Sequence, residues 1–230
     1  LVAAFQVAIK KARAAGINVV EMPGWKSRIG NSKKRVTSLY GVVFHHTGSE
    51  ISSGSAVKAY AAGLSSGSIR PDIGAILCNT TTIRPGAYPG SSGRRCTIVV
   101  NGADYANHAG LGDRDTLAKL KAGTVPLTSE IHPNSNDLYG NAFLLGDEGM
   151  GAYRSAAQNR DALLFYSFVL AELGLSGSPI IGHREWTPRK NDPARTDMAR
   201  VRQDYLALGA AQKPEETEPD PTPTPDPEPT

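Results

Sequence analysis

The stretch that most constrains this chain is Tyr153–Leu173, rich in Ala and Leu, almost wholly apolar from Ala162 to Leu173, and stopped by Gly174. Its composition predicts a helix. A surface helix keeps a polar face, and the second half of this one has almost none. It therefore has to be covered on most sides, and it is expected to lie across a sheet.

Strands for that sheet can be read from short apolar runs. Leu39–Phe44 (Leu-Tyr-Gly-Val-Val-Phe) is one, ending on His45-His46-Thr47. Ile73–Cys78, Cys96–Val100 and Ala142–Asp147 read the same way, the last closing on Glu148-Gly149, with a Gly/Pro/Ser-rich turn region over Pro85–Gly93. Helices are predicted over Val2–Ala15, with basic residues near its end and Gly16 as its stop, over Ala56–Leu64, and from Asp197 to about Leu208, where Met198, Val201 and Tyr205 share a face. Asn18–Arg28 reads as an ordered lead-in and Asn107-His108-Ala109-Gly110 as a loop. Gly123–Tyr139 reads as a long irregular connection of the kind that lines or adjoins a site. Strands and helices interleave, so the fold class is α/β, a mixed central β-sheet flanked by helices.

Charge divides the chain unevenly. Residues 1–212 carry 24 Lys and Arg against 16 Asp and Glu, a net of +8, and the remainder carries −5. A basic body suits a polyanionic partner such as a cell wall or a nucleic acid, or simply keeps the domain in solution. Pro214–Thr230 holds seven of the sixteen prolines and six acids, a composition expected to give an extended spacer. Three regions follow: a helix and lead-in over 1–30, the main domain over 31–211, and a disordered linker over 212–230. No run approaches the ~20 apolar residues of a membrane span, and no stretch has the order of a secretory signal. The chain begins at Leu1 and reads as a piece cut from a longer polypeptide. Two cysteines, Cys78 and Cys96, fit one bridge or two buried thiols equally well.

The chemistry concentrates in Gly182–Pro193. This stretch follows the apolar run Pro179-Ile180-Ile181 and sets His183, Lys190 and Asp192 among prolines, a poor helix and a good site loop. With His45 and Glu148 at other strand ends, two histidines and a carboxylate fit zinc held by three protein ligands. Glu148 could then move a proton and Lys190 could face an oxygen that becomes negative, which points to hydrolysis of an amide or ester. Side chains alternate along a strand, so His45 and His46 are expected not to enter the same site.

Four segments in order carry a resemblance to a known family: Val42-Val43-Phe44-His45-His46-Thr47, Asn107-His108-Ala109-Gly110, Leu145-Gly146-Asp147-Glu148, and Gly182-His183 through Lys190-Asn191-Asp192-Pro193. Over about Leu39–Arg202 the chain resembles the type-2 zinc N-acetylmuramoyl-L-alanine amidases, which include the peptidoglycan recognition proteins and many phage endolysins. The resemblance implies a peptidoglycan recognition protein/amidase-like fold, with His45, His183 and Asp192 as zinc ligands, Glu148 as catalytic acid/base and Lys190 as transition-state stabiliser. It places His46, His108 and Asn141 along the groove for the muramoyl peptide. The substrate implied is bacterial peptidoglycan, cut by a monomeric catalytic module of a phage endolysin that reaches the wall after phage-mediated release. A non-catalytic peptidoglycan-binding recognition module is the alternative. Nucleic-acid binding has only charge behind it, without aromatic interleaving or a motif. Three departures stand out: Ile73-Gly74-Ala75 where some relatives carry a catalytic tyrosine, a His183–Asp192 loop one residue shorter than the common form, and Asp147 in place of an apolar residue.

Overall fold

The structure, a computed structural model, describes residues 1–29, 34–47, 78–86, 94–175 and 177–211. Its centre is a six-stranded sheet of β1 (Asn18–Glu21), β2 (Gly41–His46), β3 (Thr80–Ile83), β4 (Thr97–Val100), β7 (Leu144–Gly149) and β8 (Ile180–Gly182), in the order β1-β4-β3-β7-β2-β8. The pairs are parallel except β3 with β4, so the sheet is mixed and flanked by helices. A two-stranded ribbon, β5 (Leu111–Gly112) with β6 (Leu138–Tyr139), stands apart from it. Among the described residues no helix is long and apolar enough to cross a membrane.

The apolar helix predicted from composition is α3, Ala156–Glu172. Ser155 begins it: its hydroxyl accepts from the Gln158 amide while the Gln158 side chain accepts from the Ser155 amide, so two otherwise orphaned donors are satisfied. On one sheet face α3 packs with α1 (Val2–Ala14) and α5 (Met198–Ala211) over Val42, Phe44, Ile98, Val100, Leu145 and Ile180. Phe5, Phe165 and Tyr166 are fully buried there in edge-on ring contacts, each such side chain contributing roughly 1.5–3 kcal/mol by leaving water. The second face is thinner. Val43, Leu144 and Ile181 are covered by Leu117 and Leu120 of α2 (Arg114–Ala122), by Val125 and Ile131 of the long connection, and by Trp186.

Several expectations need correction. Asn18–Glu21 is an edge strand rather than only a lead-in, because its amides and carbonyls pair with β4. β7 starts two residues later than its apolar run suggested, since Ala142 and Phe143 form the turn that precedes it. Helix α2 was not read from the sequence, although Asp113 caps it through the Thr116 amide and Gly123 ends it in the left-handed region. β3 was not read either. It is a buried run of three threonines, whose branched side chains favour a strand while their hydroxyls hide the pattern. His183–Trp186 forms a single helical turn, α4, where only an irregular loop was expected. The helix predicted over Ala56–Leu64, the Ile73–Leu77 part of a predicted strand, the Ile73-Gly74-Ala75 departure and the linker lie outside the described residues. Both cysteines are buried free thiols.

Candidate metal centre

The neighbouring strands β7, β2 and β8 end together, and the side chains beyond their C-terminal ends meet in a cleft of about 360 Å³. His45 and Glu148 are register partners on β2 and β7. His183 begins α4 directly after β8, and Asp192 reaches back from the loop that follows. One ligand atom from each of His45, His183 and Asp192 lies within 4.8 Å of the others. Asp192 Oδ2 is 3.0 Å from His45 Nδ1 and 3.2 Å from His183 Nδ1, so the shorter loop spans the gap fully. Tetrahedral zinc with ligands at about 2.0–2.1 Å spaces them about 3.3 Å apart, and the donors present are two imidazoles and a carboxylate, so the trio fits zinc.

Proton placement strengthens that fit. His108 Nε2 is 2.9 Å from the Leu144 carbonyl, which can only accept, so that nitrogen carries the hydrogen. His108 Nδ1 is then a lone pair, and it accepts from His45 Nε2 at 3.1 Å. A neutral His45 is thereby left with a bare Nδ1 facing the Asp192 carboxylate. Burial, above all, lowers the His45 pKa to about 4, outweighing the attraction of Asp192, and the neighbouring positive charges of His183 and Arg154 add to the lowering. Burial also pushes His108 well below the ordinary imidazole value, with the charge of His45 next. At neutral pH two acceptors thus face each other with no proton between them. A metal cation resolves that conflict, as a proton does in acid.

The same histidines are braced from outside the trio. His183 Nε2 lies 3.4 Å from the Ala109 carbonyl. Gly146 lets the His108 ring lie flat on β7, since a Cβ there would fall 2.7 Å from His108 Cγ. Burial would raise the Asp192 carboxyl, but the two imidazoles beside it prevail and hold it below its ordinary value. The carboxylate therefore stays ionised and available.

Glu148, half-buried, and the exposed Lys190 both line the cleft. His46 lines it too, with Nδ1 accepting from the Ala194 amide at 3.4 Å, although strand alternation kept it out of the site. It enters because β2 ends there and the chain after Pro193 folds round the strand end. His108 forms part of the wall. Asn141 is not among the lining residues; its Oδ1 accepts from the Ala109 and Gly110 amides at 2.8 and 3.0 Å and pins the loop that carries His108. Cys78 also borders the cleft, and burial followed by the charge of Glu148 pushes its pKa well above the ordinary value. Asn107 and Asn191 complete the rim, each adjacent in sequence to a residue already singled out.

Behind α4 lies a pair the sequence did not reveal. Glu185 and Arg202 are fully buried and form a two-pronged ion pair at 2.8 and 3.1 Å. Glu185 also accepts from the amides of Gly182 and Ile131, both at 2.9 Å, tying the His183 turn to the long connection.

No protein-family model matches the chain, and no curated protein matches its sequence. Among solved structures it is similar to a mutant endolysin from Bacillus subtilis, at 13% identity and a TM-score of 0.45 over 84% of this chain and 97% of that one. A selenomethionine derivative of AmpD is similar at 17% identity and a TM-score of 0.45, over 84% of this chain and 94% of that one.

Proposed function

We propose that the chain is a zinc-dependent hydrolase that cleaves the amide between the lactyl group of N-acetylmuramic acid and L-alanine in bacterial peptidoglycan, as the catalytic module of a phage endolysin, with residues 31–211, together with α1 and β1 packed into the same core and sheet, as the catalytic unit. The observation that carries this reading is the buried carboxylate of Asp192 facing the Nδ1 atoms of His45 and His183, in a cleft that also holds a carboxylate and an ammonium group. His45, His183 and Asp192 hold the metal. Bound zinc supplies Lewis acidity, polarising a carbonyl and making water acidic near neutral pH. The Glu148 carboxylate takes a proton from the attacking water and returns it to the departing amide nitrogen. The Lys190 ammonium faces the oxygen that gains charge as the carbonyl becomes tetrahedral. His46 and the loop held by Asn141 border the groove for the muramoyl peptide.

The test is zinc stoichiometry together with mass spectrometry of digested peptidoglycan. One zinc per chain and soluble muropeptides with free L-alanine amino termini are expected, both abolished by chelation. Release of reducing sugar ends would overturn the bond assignment. Tight wall binding without cleavage at any zinc load would make the chain a recognition module instead.

A further inference from the structure

Asp147 is the departure from the family pattern that this chemistry does not use. It precedes Glu148 on β7, and its side chain emerges on the opposite sheet face, where it is fully buried. There Oδ1 accepts from the hydroxyls of Thr80 and Thr82, the latter at 2.8 Å. Oδ2 lies 2.7 Å from Arg154 Nη1, on a side chain equally buried. The same nitrogen donates to the carbonyl of His45 at 3.1 Å and to that of Asp147 at 3.3 Å. Arg154 Nε is held by Asn159 Oδ1 at 2.8 Å, and the guanidinium carbon lies 4.1 Å from the centre of the Phe44 ring.

This guanidinium sits behind the rank that carries the cleft. β8 pairs with β2 only as far as Phe44, so His45 lies one residue beyond the support of that neighbour. Arg154 binds the backbone of β2 and β7 at this rank, where His45 and Glu148 are register partners. We propose that Asp147 and Arg154 are a positioning pair, set behind the sheet, that fixes His45 relative to Glu148 and so the proposed metal relative to its acid/base. A buried ion pair is a poor source of stability, because desolvating both charges consumes most of their attraction and apolar replacement of the two together is often neutral or better. What this pair supplies is geometry: one guanidinium nitrogen, Nη1, bonds both strands, and its direction is fixed because Asn159 holds Nε of the same planar group. Gly149 makes room for it, since a Cβ there would fall 2.7 Å from Arg154 Cγ.

The inference rests on the proposed zinc chemistry, and the test separates the two. Zinc affinity, the Co(II) ligand-field spectrum, kcat, KM and thermal midpoint are compared for the wild type, the double variant Asp147→Leu/Arg154→Met, and Arg154→Lys, which keeps the charge but loses the planar fork. The double variant is expected to melt close to the wild type, yet to bind zinc about 10-fold more weakly or worse, the loss typical of disturbed support around a metal ligand. Its Co(II) spectrum should shift and its kcat should fall with KM little changed. Arg154→Lys should move the same way, and it decides the matter if the double variant does not fold. Wild-type zinc affinity and kcat in either folded variant would overturn the positioning role while leaving the proposed function standing. A wild-type protein that binds no zinc would overturn both.

Discussion

Arg202→Met removes the cation of the pair that anchors the His183 turn. Both side chains are fully buried, and Arg202 makes two contacts to Glu185 at 2.8 and 3.1 Å. It also donates to the carbonyls of Pro126 and Ser129, each at 2.6 Å. Breaking such a pair by removing one partner costs about 3–5 kcal/mol, because a charge stays buried without its counterion. Glu185 keeps two backbone donors, which pulls the cost toward the lower end, while the two carbonyls lose theirs, which pulls it back up. The balance is a loss of about 4 kcal/mol. At about 2–4 °C per kcal/mol for a domain of this size, the thermal midpoint should fall by about 8–16 °C. Urea denaturation followed by circular dichroism measures the loss directly, and the double variant Glu185→Met/Arg202→Met should recover much of it. A loss below about 1 kcal/mol, the range of an exposed ion pair, would refute the reasoning.

Glu148→Ala should retain zinc, since Glu148 is not among the three clustered ligand residues, while losing about 100-fold or more in turnover; unchanged turnover would place the acid/base elsewhere. Below pH 4, where the proton on His45 must be displaced, that displacement should weaken zinc binding by about tenfold per pH unit; titration of zinc affinity against pH that shows no such loss in this range would contradict it. Gly112→Ala should destabilise by about 1–3 kcal/mol in thermal unfolding, since the new methyl would lie 2.1 Å from Trp186 Cε2 and overpack the second core; a neutral variant would show that Trp186 can move freely. Asp161 is buried, and although burial raises its pKa, bonds from Arg160, the Cys96 amide and Arg95 prevail and hold it below the ordinary value. Its contribution is therefore present above the unfolded value of about 3.9 and is lost as pH falls through the folded value. Asp161→Asn should be less stable than wild type at neutral pH, by a margin that shrinks in acid; a margin independent of pH would contradict this.

The sequence by itself determined what local chemistry determines. Composition marked α1 and α3, apolar spacing marked α5, apolar runs marked β2, β4 and β7, and the interleaving of the two kinds of element marked an α/β class with a mixed sheet. Residues that converge in the cleft were also singled out in sequence, because His45 and Glu148 close apolar strand runs and His183, Lys190 and Asp192 share the proline-bounded stretch Gly182–Pro193. Only the tertiary structure decided what depends on partners distant along the chain. β1 is a strand because β4 lies beside it, and Thr80-Thr81-Thr82 can be buried because Asp147 accepts from the hydroxyls of Thr80 and Thr82 while Asn101 donates to that of Thr81. The one-residue shortening before Asp192 gave no sign in sequence of whether the carboxylate would reach, and its contacts with both Nδ1 atoms settle that distance. The proton order from Leu144 through His108 to His45, the Glu185–Arg202 anchor and the bond from Arg154 to the β2 backbone join residues 17 to 109 positions apart. Such pairings arise from the order in which strands assemble, and no periodicity along the chain records that order.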